Sequence, residues 1–389
     1  MHAIIRNKLL LVTYIMTLLY ALHYGIPLYA SSSFLHQYFT PKMISLIYAV
    51  SALVAIITSV HFTKYLKRYH TYRFTVFLVI TQIISTISVA FSDNNFLVAF
   101  FFIAHFFLSA LIFTVLNVFI ENLSPHGETG MVRGLFLTLL NLGIVVSPFI
   151  GASIIAREGY AALYVVAGIM LIPFLFFLRK YMNHMEEPTY HNIDLWSAFR
   201  DAWKNENLRN ALVVVLLLQC FYVIMIIYSP IYVTSIGISL TTYLSAILPL
   251  ALTPFILMPY ELGIIADTKL GEKELMILGL VIMAIATLSI AVIETTNVLV
   301  WLAVFLFSRI GAACVETMTF SYYFKKISAK DSSLIVLFSN MSNLATMIVA
   351  VIGIAIAPML VTYSGIMFII MGVALLLGVL FVIPIQDTK

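Results

Sequence analysis

Twelve apolar stretches dominate this 389-residue sequence, and each is long enough to cross a lipid bilayer as a helix. A crossing requires about 20 predominantly apolar residues. Helices suit such segments because they satisfy every backbone N–H and C=O group internally. We therefore predict an all-α membrane protein with twelve transmembrane helices. The stretches cover approximately residues 9–30, 43–63, 74–92, 96–119, 134–155, 160–178, 210–230, 240–265, 275–293, 298–320, 333–360 and 363–384.

The composition supports a lipid-facing surface. Hydrophobic residues make up 62% of the chain and charged residues only 10%, whereas a soluble domain usually carries about 25% charged residues. The two cysteines, Cys220 and Cys314, lie within apolar stretches, so they predict neither a disulfide framework nor a metal site. No motif indicates a metal, another cofactor or nucleic-acid binding.

The basic residues provide an independent test of topology. With the N-terminus placed in the cytoplasm, 18 of the 21 lysines and arginines fall in cytoplasmic segments, and only Lys42 and Arg157 fall in outside loops. Arg309 lies within a span. Positive charge accumulates on the cytoplasmic side of membrane proteins. The bias predicts an inner (plasma) membrane protein with both termini in the cytoplasm.

A longer polar segment, 179–209, separates the first six stretches from the last six. It predicts an N-terminal six-helix bundle over residues 1–178, a cytoplasmic linker over 179–209 and a C-terminal six-helix bundle over 210–389. Within the linker, Trp196, Phe199 and Trp203 recur at helical spacing with charged residues between them. This pattern predicts an amphipathic helix at the membrane interface, acting as a tether or as a regulatory element.

The two halves superimpose in sequence with an offset of about 203 residues, which brings His105 beside Arg309. The internal identity is low, so the repeat is carried by hydropathy and loop positions. Two pseudo-symmetric six-helix bundles joined by a cytoplasmic loop are a known transporter plan, with the substrate site between the halves.

The loop between the eighth and ninth stretches contains Gly263, Asp267 and Gly271 followed by Lys273. This pattern resembles the cytoplasmic signature of the major facilitator superfamily, although Gly271 comes one position late. The resemblance implies a gate at this loop, in which Gly263 permits close helix approach and Gly271 permits a turn. The equivalent loop of the first half has Val60 and Lys64 where the family places glycine and aspartate.

The fifth stretch carries Gly143, Pro148 and Gly151, which is similar to a motif of the proton-coupled exporters of that family. Small residues and proline allow close helix packing and a bend. We interpret these three residues as a helix-packing motif, and the resemblance favours export.

Polar residues at membrane depth are the candidate site residues. Arg309 lies near the middle of the tenth stretch, where arginine costs at least about 2.5–3.5 kcal/mol on insertion scales. Glu316 follows seven residues later, which places both on one helix face about 10 Å apart along the axis. Arg309 either has a functional role, in which it binds an anionic group or sets the pKa of Glu316, or it forms a structural ion pair with a neighbouring helix.

Further candidates are less specific. His105 near the middle of the fourth stretch is either a proton relay or a hydrogen-bonded core residue. Glu121, at the cytoplasmic end of the fourth stretch, is either an interface anchor or a gate residue, and Arg133, at the start of the fifth stretch, is a candidate partner for Glu121 or for another gate carboxylate. The remaining candidates for a substrate or proton site are amide and tyrosine side chains within spans, namely Asn117, Tyr24, Gln219 and Tyr222.

These observations predict a secondary active transporter that moves a small organic solute by alternating access. Proton-coupled export is a hypothesis motivated by the titratable groups at membrane depth. We expect a monomer in the lipid bilayer and no enzymatic activity. The alternatives are a membrane-embedded enzyme, for which no clustered catalytic carboxylates or nucleophile–histidine set is visible, and a non-transporting receptor, for which no sizeable soluble domain is visible.

Overall fold

A computed structural model describes residues 2–124, 129–185, 187, 195–327, 332–363 and 365–386. Helices account for nearly all of these residues, and the described ranges contain no β-strand. The prediction of an all-α protein is therefore confirmed.

The chain divides into two compact units. The first comprises residues 1–34 and 50–191, and the second comprises residues 35–49 and 192–389. The boundary between the units falls not only in the predicted linker but also within one long helix, α3 (Pro41–Tyr69). The predicted bundles over 1–178 and 210–389 stay a prediction.

The first unit is built mainly from long helices of the N-terminal half. Its helices are α1 (His2–Leu28), α2 (Ser31–Leu35), α3 (Pro41–Tyr69, from Val50 onward), α4 (Thr71–Ala90), α5 (Asn95–Leu123) and α6 (Thr129–Tyr181), followed by a 3₁₀ turn at Met182–His184. Its core is a cluster of buried aliphatic and aromatic side chains, to which α5 contributes Val115 and Phe119 and α6 contributes Leu171 and Phe174.

The second unit contains the remaining helices. They are α7 (Leu195–Lys204), α8 (Glu206–Ser235), α9 (Leu240–Thr242), α10 (Leu248–Ala251), α11 (Pro254–Leu257), α12 (Pro259–Thr268), α13 (Glu272–Val292), α14 (Val298–Lys326), α15 (Ser332–Ala355), α16 (Ala357–Thr362) and α17 (Ile366–Val382). Three of the long helices begin with an asparagine cap: Asn94, Asn205 and Asn297 each accept a bond from a backbone N–H of the following turn, which is the usual way to satisfy helix N-termini.

Ten helical segments of the described residues are long and apolar enough to cross a membrane. One of them, Val132–Tyr181, is 50 residues long and is interrupted at Gly159, where φ is +80°. That left-handed conformation favours glycine and falls between the predicted fifth and sixth spans. The apolar helix Ile366–Val382 is shorter, at 17 residues. The membrane character is thus confirmed, whereas the total of twelve crossings stays a prediction.

The predicted eighth span, 240–265, is not one regular helix. A π-helical turn at Tyr243–Ile247 and breaks near Pro254 and Pro259 divide it into short helices. Proline removes a backbone donor and clashes with the preceding turn, which explains why the segment is divided. Hydropathy alone predicted its position but not these interruptions.

The predicted packing motif of α6 lies against α1. A Cβ atom added at Gly143 would lie 2.4 Å from the Cβ of Ala21, and one added at Gly151 would lie 3.0 Å from the carbonyl oxygen of Ile26. Pro148 lies between these two glycines within the helix. The absence of side chains at both positions therefore lets the two helices approach closely.

Candidate functional site

Among the described residues of the second unit, Arg309 is the most deeply buried charged residue, with 1% of its surface exposed. Its guanidinium carbon lies 5.3 Å from the ring centroid of Phe221 on α8 and 5.6 Å from that of Phe305 on α14. Both rings are within the distance at which a cation is attracted to an aromatic face. Arg309 therefore faces protein, not open water.

The hydrogen bonds of the Arg309 guanidinium are incomplete. Nη1 donates to the Ser308 hydroxyl at 2.9 Å, while Nη2 is buried and has no hydrogen-bond partner among the described residues. The Ser308 hydroxyl in turn donates to the Phe305 carbonyl at 2.7 Å, so its oxygen is oriented to accept from Arg309. No carboxylate of the described residues lies within ion-pair distance of Arg309, so the predicted structural ion pair is not found there.

Glu316 lies on the same helix as Arg309, and it also contacts α8. The Tyr222 hydroxyl donates to Oε2 of Glu316 at 3.0 Å, which brings together two residues that the sequence predicted separately. Tyr222 also packs edge-on against Phe255 of α11, with ring centroids 5.7 Å apart. Arg309 and Glu316 thus contact consecutive residues of one helix, Phe221 and Tyr222, as expected from their shared helix face.

Gln219 lies one turn before Tyr222 on α8 and is half-buried. Its amide makes no hydrogen bond within the described residues.

Phe221 and Phe305 were not among the predicted site residues. Aromatic residues are frequent throughout the chain, so no sequence signal distinguished these two from ordinary packing residues.

His105 belongs to a different unit and a different environment. It lies in a buried polar cluster of the first unit that joins α1, α4 and α5, whose central residue is Gln82 on α4. The Gln82 amide nitrogen lies 2.8 Å from Nε2 of His23, 3.0 Å from Nδ1 of His105 and 2.8 Å from the Ser109 hydroxyl oxygen. Sequence reasoning missed Gln82, although Gln82 and Thr86 form a polar pair one helical turn apart.

The geometry around His23 fixes its neutral tautomer. Nδ1 of His23 lies 2.8 Å from the carbonyl oxygen of Ala167, and because a carbonyl only accepts, Nδ1 carries the proton. Nε2 of the neutral ring then accepts from the Gln82 amide. His105 is held by the Thr86 hydroxyl, 2.9 Å from its Nδ1. Oε1 of Gln82 is buried with no partner among the described residues.

No charged side chain of the described residues hydrogen-bonds to this cluster. A protonated imidazole there would be an uncompensated charge at membrane depth, which is expensive. The arrangement therefore favours the hydrogen-bonded core residue over the proton relay as the interpretation of His105.

The two other predicted site residues of the first unit are also held locally. The Asn117 amide donates to the Phe113 carbonyl of its own helix at 2.9 Å. Tyr24 stacks on Tyr20, with ring centroids 6.1 Å apart. Neither residue contacts the polar cluster through a hydrogen bond among those that the structure gives.

The predicted gate residues fall into two groups. Glu121 and Arg133 face each other across the loop after α5, with Oε2 and Nη2 3.6 Å apart. Their predicted pairing is therefore present as a contact. Glu121 is largely exposed, so this ion pair contributes at most about 1 kcal/mol to stability.

The glycines of the second-half loop do not have the expected geometry. A Cβ atom at Gly263 would meet no other heavy atom within 4 Å, so no helix approaches closely there. Gly271 caps α13 with φ at −105°, a conformation open to any residue, and its N–H donates to Glu274 at 3.1 Å. The close helix approach expected at Gly263 is therefore not found among the described residues, whereas Gly271 does lie in the turn between α12 and α13 but does not need the conformational freedom of glycine there. Asp267 lies in α12, but its side chain is outside the described part of the structure.

Metal ligation finds no support in the described residues, where no three His, Cys, Asp or Glu side chains lie close enough to hold an ion. The arrangement that remains is a buried guanidinium with a free donor among the described residues, flanked by two aromatic rings, with a tyrosine–carboxyl pair about two turns further along the same helix. Such a set can bind an anionic or hydrogen-bonding group and present an apolar surface to the rest of the solute.

Comparisons with known proteins identify the fold. The sequence model of the Major Facilitator Superfamily matches residues 13–348. The crystal structure of the nucleoside transporter NupG superimposes with a TM-score of 0.76 at 12% sequence identity, covering 97% of this chain and 99% of that one. A search of curated proteins gave no match.

Proposed function

The chain belongs to the major facilitator superfamily and is a transporter, not an enzyme, and on that premise we propose that it carries a small organic anion by alternating access. In this proposal Arg309 binds the anionic group of the solute. Phe221 and Phe305 line the apolar part of the same site.

The free Nη2 of Arg309 is the observation that carries the proposal. A buried charge that lacks a partner is costly in a protein and more so at membrane depth. A carboxylate or similar group of a solute would accept from Nη2 in a charge-assisted bond, which is stronger than a neutral one. No carboxylate of the described residues lies beside Arg309, and in this proposal a ligand takes that position.

Proton coupling is the second part of the proposal. Glu316 is a carboxyl group at membrane depth that accepts a bond from Tyr222 at 3.0 Å, and no cation of the described residues pairs with it. Intramembrane carboxylates of this kind occur in proton relays. We assign the proton to Glu316 and not to His105, whose neutral ring is already hydrogen-bonded within the first unit. The direction of transport stays a prediction, with export favoured by the Gly143–Gly151 motif.

Uptake and counterflow in proteoliposomes test the proposal. The solutes should be matched in size and grouped as anionic, neutral or cationic. Nucleosides should be included in the neutral group because the nucleoside transporter NupG has this fold. We expect transport of the anionic group and its loss in Arg309→Gln, by about 10- to 100-fold, the equivalent of one or two charge-assisted bonds.

Arg157→Gln is the matched control, because Arg157 is exposed and its substitution removes the same charge. It should transport as the unaltered protein does. A preference for neutral or cationic solutes, together with unchanged transport by Arg309→Gln, would remove Arg309 from the substrate site.

A further inference from the structure

Helix α7 presents three different faces. Ala198 and Ala202 are buried, at 4% and 0% exposure. Trp196, Phe199 and Trp203 are exposed at 69%, 37% and 50% respectively. These three residues, named here the aromatic stripe, follow the i, i+3, i+7 spacing of one helix face.

The alanine face explains how α7 is fixed in its unit. α7 packs against α8 and α15, both of the second unit, and small side chains allow this close contact. The aromatic stripe is therefore not the face that holds the helix in place. Large apolar side chains that remain exposed beside a fixed helix indicate an interaction surface.

The aromatic stripe is continuous and has a basic edge. Trp196 stacks on Phe199 with ring centroids 6.2 Å apart, and Phe199 stacks on Trp203 at 5.3 Å. Arg200 and Lys204 are exposed. Arg200 follows Phe199 and Lys204 follows Trp203, so each basic residue lies about 100° further around the helix than a residue of the stripe. Tryptophan at the boundary of an apolar face, with basic residues beside it, is typical of helices that lie in a membrane interface.

The position of α7 in the chain identifies the partner. Only Asn205 separates Lys204 from α8, which begins at Glu206 and is a candidate membrane span. Asn205 caps α8 by accepting from the backbone N–H groups of Asn207 and Leu208. The end of α7 at Lys204 is thus six residues before the predicted span 210–230, about 9 Å along a helix, so the interfacial layer of the bilayer is adjacent to it.

We propose that the aromatic stripe of α7 inserts into the interfacial layer of the bilayer, where Arg200 and Lys204 contact the phosphates of lipid headgroups. The partner is the phospholipid surface and not a second protein. This interaction does not depend on the solute or on Arg309. It also fixes the start of α8, the helix that carries Phe221 and Tyr222.

Tryptophan fluorescence offers a direct test because the chain has only three tryptophans. Trp196 and Trp203 belong to the stripe, whereas Trp301 is fully buried in the second unit. The full chain is reconstituted in vesicles of phosphatidylcholine brominated either high or low on the acyl chain. We expect strong quenching by bromine near the headgroup and weaker quenching by bromine near the chain end.

The variant Trp196→Phe/Trp203→Phe should lose most of the quenchable fluorescence, while Trp301→Phe should retain it. Phenylalanine keeps the exposed face apolar, so we expect the double variant to fold as the unaltered protein does. Equal quenching of the double variant, or quenching of the stripe tryptophans by aqueous iodide and not by brominated lipid, would overturn the proposal. The iodide result would leave the stripe facing water or a protein partner.

The headgroup contact has a separate test. Replacing part of the phosphatidylcholine by anionic phosphatidylglycerol should increase the quenching by bromine near the headgroup in the unaltered protein. The increase should disappear in Arg200→Gln/Lys204→Gln. An identical increase in that variant would exclude Arg200 and Lys204 as the phosphate contacts.

Discussion

Gln82 in the first unit joins two histidines in a cluster without formal charge, whereas Arg309 in the second unit carries a full charge and leaves Nη2 unbonded. Both sites are buried within helices that cross the apolar layer. In the first, amide, imidazole and hydroxyl groups bond mainly to one another across three helices. In the second, a single Ser308 hydroxyl and two aromatic rings surround the guanidinium.

Under the proposed function, the difference is between polar groups that hold helices together and a polar group that binds a ligand. Interhelical hydrogen bonds in membranes contribute about 0.6 kcal/mol on average, and a neutral atom left unbonded, such as Oε1 of Gln82, costs less than a buried charge without a countercharge. A buried charge without a partner is destabilising. The presence of the buried Arg309 guanidinium in the second unit is therefore better explained by function than by stability.

The largest expected effect concerns Glu316. Glu316→Gln keeps a group that can accept from Tyr222 but removes the exchangeable proton of the carboxyl group. Accumulation driven by a pH gradient should fall to the level of protein-free vesicles, while counterflow continues. The measurement compares the two assays on the same vesicle preparation. Gradient-driven accumulation that survives in Glu316→Gln would place the proton elsewhere and weaken the contrast between the units.

A second prediction tests the structural role of the first cluster. Gln82→Leu removes the amide that links His23 and His105 and leaves the buried Nε2 of His23 without its partner, which typically costs about 1–3 kcal/mol. The melting temperature in detergent should fall by several degrees. Asn117→Leu is the control, since the Asn117 amide bonds only to its own helix at Phe113 among the bonds that the structure gives, and it should shift the melting temperature little. Equal shifts for the two variants would contradict a linking role for Gln82.

The smallest expected effect concerns Ser308, which we interpret as a positioning residue for Arg309. Ser308→Ala removes one neutral acceptor of the guanidinium, worth about 0.5–1.5 kcal/mol, so KM for the anion should rise about 2- to 10-fold with kcat nearly unchanged. The control is Ser339→Ala, whose lost hydroxyl bonds only to the Ile335 carbonyl of its own helix. A fall in kcat without a change in KM would show that Ser308 does not orient the binding group.

Hydropathy predicted most of the architecture because apolar length is a direct requirement of the bilayer. It could not predict the interruptions of the eighth span, since these depend on how Pro254 and Pro259 are accommodated. Gly159 likewise interrupts α6 with a non-helical backbone conformation, φ +80°, between the fifth and sixth apolar stretches.

The candidate site was predictable only within single helices. Helical periodicity placed Arg309 and Glu316 on one face, and that face contacts α8 in the structure. Periodicity does not reveal which helix lies opposite, so the bond from Tyr222, 94 residues away from Glu316, required the fold. Glu121 and Arg133 were easier to pair because they flank one short loop.

The expectations for Gly263 and Gly271 show what a family motif cannot predict. They came from resemblance to a family motif: the close approach is absent at Gly263, and the turn at Gly271 has a backbone conformation that any residue can adopt. A motif can therefore indicate membership of a family without fixing the local contacts of each residue.

The central claim, that Arg309 is kept for a ligand and not for stability, is tested most directly by Arg309→Met. Methionine is apolar, flexible and of similar length, and replacing a poorly compensated buried charge by an apolar side chain is often neutral or stabilising by about 1–4 kcal/mol. The melting temperature and the transport of anionic solutes should be measured on the same preparation. We predict an unchanged or higher melting temperature together with loss of transport, whereas a lower melting temperature with transport retained would contradict the account.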